Sequence, residues 1–290
     1  MIRRPPLRWF ALLQQGKQMA LVDAEHGLLR HAPIEAFQSG RNWRLTASSP
    51  RDQAYGLEQT PDFPLEAWLQ HFLGQVYPLN RLCLLLVWPE PPSALTLQLW
   101  RMCLSHLDLA DYAICSPLDC LALKLENSLL IYLDGGVAGL AACHQAKVTE
   151  ASYLGYGRFL TRAVRRYLLQ RYELRVDFAT ASTIWWRLEQ DQTQLTVSGL
   201  NARQQPQHQL LLFEELQPLA RAALTPLIEE VHTLSGVYPE LPCQLLGNRS
   251  ALPGMETLLA EQLPAGAEKI QAGDRMLIEG IQLRLMEVMT

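Results

Sequence analysis

Apolar and polar positions sort into strand-length blocks from the start of the chain. Trp9-Phe10-Ala11-Leu12-Leu13 and Gln18-Met19-Ala20-Leu21-Val22 are two short runs parted by Gln14-Gln15-Gly16-Lys17. Short apolar runs bounded by turn residues predict buried strands, and a third around residues 27–30 makes the opening a meander. Residues 37–63 keep no steady period and are rich in Ser, Arg, Asp, Gln and Pro. That composition predicts a loop-like excursion. Over 64–76 the apolar positions Leu65, Trp68, Leu69, Phe72 and Leu73 fall at i, i+3 and i+4, the spacing of an amphipathic helix.

From there strands and helices alternate. The run LCLLLVW at 82–88 predicts a buried strand; 93–107 predicts a helix capped by Ser93; 112–115 a strand; Pro117 the start of a short helix; 129–133 another strand. Residues 137–143 and 147–153 predict a hairpin across His144-Gln145-Ala146, followed by a long helix over 157–172. A helix at 179–189 carries the bulky pair Trp185-Trp186, and 195–198 with 209–213 predict paired strands. Next come a helix over 214–234 interrupted at Pro218 and Pro226, a strand at 243–246, a turn at 247–250, a helix at 253–262 and a last helix at 274–288. A meander followed by crossover helices, twice over, predicts an α/β protein with a duplicated plan. At 290 residues the chain is long enough for two lobes.

Composition narrows the partners. A chain that is 49% hydrophobic and 19% charged, with mean hydropathy -0.02, folds rather than staying disordered. Its formal charge of -4 and pI near 6.0 give no basic field, so nucleic acid is not an expected partner. The six cysteines, Cys83, Cys103, Cys115, Cys120, Cys143 and Cys243, form no C-x-x-C pair and have no histidine pair at metal spacing. They are expected to be buried thiols of a cytoplasmic protein, and no metal site is expected. No apolar run approaches a membrane span.

The leading segment MIRRPPLRWF lacks the apolar core and small-residue cleavage site of a signal peptide. It is expected to be a basic lead-in to the first strand. Peripheral contact with the inner face of a membrane through Arg3, Arg4, Arg8, Trp9 and Phe10 is the alternative. Arg162, Arg165, Arg166 and Arg171 on one helix predict a solvated face, with an acidic partner as the alternative. Val197-Ser198-Gly199 does not complete a serine-hydrolase elbow; His106 and His144 have no partners at catalytic spacing. Glu214-Glu215 and Glu229-Glu230 are expected to be exposed helix positions.

Several joints carry a resemblance. They are Val87-Trp88-Pro89; Cys115-Ser116-Pro117; Asp134-Gly135-Gly136-Val137-Ala138-Gly139; Leu154-Gly155-Tyr156-Gly157 with the helix and Ala179-Thr180-Ala181 segment behind it; and Leu246-Gly247-Asn248-Arg249-Ser250. In this order the chain resembles the actin-like ATPase superfamily, most closely the MreB family of bacterial actins, over most of residues 80–290. The resemblance implies an actin-like two-lobed fold, built from duplicated ribonuclease-H-like βββαβαβα units. Lobe I would span 1–133 with a shortened outer subdomain at about 34–63. Lobe II would span 134–262 with its outer subdomain at about 190–213, and 263–290 would return to lobe I.

It also implies a nucleotide site clamped by two glycine turns, since bare backbone brings several N–H donors against phosphate oxygens. The first turn falls near Gly16 without the family's aspartate. The second keeps Asp134, Gly135 and Gly136 but lacks both threonines, which removes hydroxyls that would serve phosphate and metal-bound water. The water-aligning glutamate would fall near 94–96, where no acid stands, and Glu90 is fixed between Pro89 and Pro91. Trp185 and Arg187 replace the family's lysine and glutamate; Gly247, Asn248 and Arg249 replace its three glycines. Trp185 would either stack on a purine or fill the vacated space.

A vestigial cleft lined by Gly16, Asp134, Gly135, Gly136, Trp185, Gly247 and Asn248 is therefore expected, with no catalytic residue and no metal ligand. No cofactor is expected, ATP with magnesium being the alternative. The expected role is a non-catalytic, MreB-like scaffold of bacterial cell-shape or envelope assembly, acting on protein partners or on itself. A nucleotide switch or weak ATPase, and a cytoplasmic adaptor of a pilus or secretion machine like the actin-fold PilM proteins, are the alternatives. The shortened outer subdomain bears on filament formation, because that surface joins subunits lengthwise in the family.

Overall fold

A computed structural model describes residues 6–15, 18–33, 35–39, 42–44, 53–56, 64–88, 94–134, 136–189, 194–247, 255–263, 268–270 and 273–289. The chain divides into two units, Met1–Lys124 with Arg275–Thr290, and Leu125–Asp274.

Unit 1 opens with the antiparallel meander β1 (Arg8–Gln15), β2 (Gln18–Asp23) and β3 (Gly27–Pro33). A separate antiparallel sheet follows, with β4 (Glu35–Ser39) between β5 (Asn42–Arg44) and β6 (Gln53–Gly56). The loop-like or weakly structured excursion expected over 37–63 is thus corrected for 37–39, 42–44 and 53–56; the rest of it lies outside the described residues. These strands are short, three to five residues, and pairing partners supply the regularity that their own sequences lack. Helix α1 (Leu65–Gly74) leads to β7 (Leu82–Val87), α2 (Ala94–His106) to β8 (Asp111–Cys115), and α3 (Pro117–Ala122) closes the run. The main sheet has the order β3-β2-β1-β7-β8, with β1, β7 and β8 parallel. Every residue of β7 is buried, as a central parallel strand covered on both faces requires. Trp68 stacks on Phe72 at 4.9 Å within α1, and Trp88 meets Trp100 edge-on at 4.8 Å.

Unit 2 repeats the plan. Its meander is β9 (Ser128–Asp134), β10 (Val137–His144) and β11 (Lys147–Leu154). Helices α4 (Tyr156–Tyr172) and α5 (Phe178–Glu189) follow, then the ribbon of β12 (Gln194–Leu200) and β13 (Pro206–Leu212). Helix α6 (Phe213–Val237) leads to β14 (Cys243–Gly247), α7 (Met255–Ala260) and β15 (Glu268–Ile270); α8 (Gly273–Met289) starts at the end of unit 2 and from Arg275 onward belongs to unit 1. Sheet order is β11-β10-β9-β14-β15, with β9, β14 and β15 parallel. Three antiparallel strands followed by two parallel ones, in the same spatial order in both units, is the duplicated α/β plan predicted above.

Helix α6 is not interrupted. It runs through Pro218 and Pro226, both exposed, while Leu216, Ala220, Ala223, Leu224, Leu227, Val231 and Leu234 bury one stripe. Each proline removes one backbone bond on the solvent face; burial of the opposite stripe outweighs the loss.

One polar group is built into the unit 1 core edge. Asp23, only 2% exposed, accepts the backbone N–H groups of Glu25 and His26 at 2.9 and 3.0 Å, meets His26 Nδ1 at 2.9 Å and pairs with Arg8 at 2.8 Å. These bonds fix the turn between β2 and β3, and they occupy the carboxylate that Glu25 and His26 would otherwise share with a cation. Burial alone would raise the Asp23 pKa; the His26 and Glu25 hydrogen bonds and the Arg8 charge overcome it, and the pKa stands lowered. A depressed carboxylate adds stability above its unfolded pKa and loses it as pH falls through the folded one. Acid unfolding should therefore steepen below about pH 4, the ordinary aspartate range. Asp23→Asn should flatten that limb in a pH series of urea midpoints; an unchanged slope would refute the assignment.

Candidate functional site

The glycine turn predicted to be the best-kept part of a nucleotide site joins β9 to β10. Asp134 pairs with Val137 across the ladder, so the turn is two residues long. Gly136 sits at φ +107°, a conformation in which a side chain would be strained. Its carbonyl accepts the Gly157 N–H at 2.7 Å, and a Cβ on Gly157 would lie 2.8 Å from the Gly136 Cα. Glycine at 157 is what lets the start of α4 close on the turn. The bond also commits an N–H that the start of a helix would otherwise offer to an anion.

Asp134, the last residue of β9, is 3% exposed. Gly247 ends the neighbouring parallel strand β14 in register with Leu133. A Cβ on Gly273, the first residue of α8, would lie 2.3 Å from the Gly247 carbonyl. The carboxyl ends of β9 and β14, the glycine turn and the starts of α4 and α8 therefore converge at one end of the unit 2 sheet. Ligands of open α/β sheets bind outside the carboxyl ends of parallel strands. Here close backbone packing takes up part of that space. The residues after the turn, Val137, Ala138 and Gly139, offer no hydroxyl.

Trp185 is a core residue of unit 2. It is 2% exposed, its ring lies 5.3 Å from that of Phe213, and it shares a core cluster with Ala181, Ile184, Leu211 and Leu216. An indole so enclosed offers no face to a purine, so the stacking role is corrected; burial of a large apolar ring drives the placement. Of the remaining expected site residues, Gly16, Gly135 and Asn248 lie outside the described residues, as do Glu90 and Arg249. Residues 94–96 form the first turn of α2.

Phe10 and Arg8, two of the residues considered for a membrane contact, are engaged within unit 1. Phe10 is 1% exposed and Arg8 pairs with Asp23. Arg3 and Arg4 lie outside the described residues. No described helix is long and apolar enough to cross a membrane.

Sequence reasoning missed the role of Glu215. It was expected to be exposed, yet its carboxylate is part-buried and accepts the hydroxyls of Tyr167, at 2.6 Å, and Tyr172, both on α4, and the Leu212 N–H at 3.1 Å. Burial would raise its pKa, but the two tyrosine bonds and the Leu212 N–H prevail and it is lowered. Burial and the bond to Glu215 push the Tyr167 hydroxyl well up. This is a fastening between α4 and the start of α6. Partners 43 and 48 residues away in sequence leave no local signal beyond an acid in a helix's first turn.

No protein-family model matches the chain, and no curated protein matches it in sequence. Solved structures do match in fold. MreB5 of Spiroplasma citri bound to ADP superposes with a TM-score of 0.73 at 13% identity, covering 98% of each chain. The MamK double helical filament gives 0.68 at 13% identity, over 96% of this chain and 98% of the other. A non-polymerising MamK mutant bound to AMPPNP gives 0.58 at 14% identity, over 98% of this chain and all of the other. Together with the duplicated sheet order, these superpositions show that the chain has the actin-like fold of MreB5 and MamK along nearly its whole length.

Proposed function

We propose that this chain is an actin-like scaffold that binds copies of itself or a protein partner and does not hydrolyse nucleotide, in the cytoplasm of a bacterium, in cell-shape or envelope assembly. The observation that carries the reading is the β9–β10 turn. Its aspartate is buried, its Gly136 carbonyl and the Gly157 N–H are committed to each other, and apolar or glycine residues stand where hydroxyls would meet phosphate and hydrated magnesium. Phosphoryl transfer depends on positioned charge and a water-aligning group, and the missing hydroxyls at this turn support a reading without hydrolysis. Self-association rests on the likeness to MamK, which was solved as a double helical filament.

A nucleotide-binding switch without hydrolysis is the second reading. It is favoured by Asp134 standing at the carboxyl end of a parallel strand. Purified protein should show no ATP turnover above background, and calorimetry with ATP and magnesium separates the two readings by presence or absence of heat. Turnover abolished by Asp134→Ala would overturn the scaffold reading. Sedimentation at increasing protein concentration tests self-association, and a monomer at every concentration would leave only the partner-binding form.

A further inference from the structure

Unit 1 holds a pair of thiols placed to react with each other. Cys115 is the last residue of β8 and Cys120 lies in α3, with their Sγ atoms 3.7 Å apart. Ser116, the one residue between strand and helix, holds the junction by a reciprocal cap. Ser116 N–H and Oγ donate to Asp119 Oδ2 at 2.9 and 2.8 Å, and Asp119 N–H donates to Ser116 Oγ at 3.2 Å. Pro117 at the first helical position stiffens it further. Trp88 N–H donates to the Cys115 carbonyl at 2.9 Å. The two sulfurs are therefore juxtaposed by a rigid frame rather than by chance rotamers of a loose loop.

Their surroundings differ in a useful way. Cys115 is half-buried and can be reached from solvent, whereas Cys120 is fully buried. Helix α8 packs directly behind the pair: a Cβ on Gly280 would lie 2.3 Å from the Cys120 carbonyl oxygen. From the same helix Arg284, whose guanidinium donates to Glu287 Oε2 at 2.7 Å, stands close enough for its charge to act on both thiols. The thiolate is the form of a cysteine that attacks disulfides. By contrast Cys143 is fully enclosed and burial pushes the Cys243 thiol up to about 11.

We propose that Cys115 and Cys120 form a reversible dithiol–disulfide site that is oxidised by a low-molecular-weight disulfide of the glutathione class. The Cys115 thiolate attacks one sulfur of glutathione disulfide, forming a mixed disulfide and releasing one glutathione thiolate. Cys120 then loses its proton and attacks the Cys115 sulfur, releasing the second glutathione. Two protein thiols are oxidised to one disulfide while one glutathione disulfide is reduced to two thiols. The greater exposure of Cys115 assigns the first attack to it, while the Cys115 sulfur and burial hold Cys120 as a thiol. Bond formation asks the sulfurs to approach by about 1.7 Å, from 3.7 Å to the disulfide length near 2.0 Å. The closed form would tie the end of β8 to α3 beneath α8.

The full-length protein is equilibrated with glutathione and glutathione disulfide at graded ratios, quenched with an alkylating agent and mapped by peptide mass spectrometry. At oxidising ratios the peptide carrying both residues should lose two hydrogens, with fragmentation placing the bond between Cys115 and Cys120, while Cys83, Cys103, Cys143 and Cys243 remain alkylated. Dithiothreitol should restore both thiols. Cys120→Ser should stop at the mixed disulfide on Cys115. The wild-type map decides the matter even if that variant folds poorly: two alkylated thiols at every ratio, or glutathione persisting on wild-type Cys115, would overturn the proposal.

Discussion

Trp185→Ala should destabilise unit 2 by about 3–5 kcal/mol, the cost of emptying a large aromatic site in a packed core. The ring is 2% exposed and sits against Phe213 between residues of α5, β13 and α6, so its loss removes contacts that join three elements at once. Helix α5 and the β12–β13 ribbon lie outside the unit's main sheet, and residues of both share the unit's core cluster with the ring. The urea midpoint followed by far-ultraviolet circular dichroism checks the size of the loss. A change below about 1 kcal/mol would mean that the ring does not support the core, since surface substitutions rarely exceed that range. A ligand-facing tryptophan would give a different signature: little loss of stability and a changed affinity for nucleotide.

Gly280→Ala is the second large effect, and its sign is informative. In the middle of a helix, alanine is favoured over glycine by about 1 kcal/mol. Position 280 should reverse that preference, because the new methyl would stand 2.3 Å from the Cys120 carbonyl oxygen and 2.8 Å from its carbonyl carbon. Backbone cannot swing aside as a flexible side chain can, so α8 must lift from α3. We expect a net loss of about 2 kcal/mol or more, in the range of overpacked cores. Gly236→Ala supplies the control: it lies near the end of α6 with nothing within 4 Å of its Cβ, and should be neutral or stabilising by a few tenths of a kcal/mol. Equal effects at both positions would show that α8 does not pack on α3 as described.

Much of the fold was legible because its signals are local. Continuous apolar runs marked β7 and β9, the i, i+3, i+4 spacing marked α1, and the glycine turn after Asp134 marked the hairpin. Failures occurred where a distant partner decided the outcome. Strands β4 to β6 are regular only because they pair, and β15 borrows its order from β14. Helix α6 survives two prolines because seven buried residues hold its other face. Glu215 reads as a solvated acid until tyrosines on α4 are brought to it.

By itself the sequence determined the order of most elements, with β4 to β6 and β15 excepted, their duplicated plan and the chemistry of the turn at Asp134. An absent hydroxyl is absent in any conformation. Tertiary structure alone decided that Trp185 is core rather than ligand surface, that Gly157 and Gly280 are points of backbone contact, and that Cys115 and Cys120 face each other. Those properties belong to pairs of groups from different elements. Periodicity records which face of an element is buried, but the neighbour that a side chain meets there is set only when sheet register and helix docking are complete.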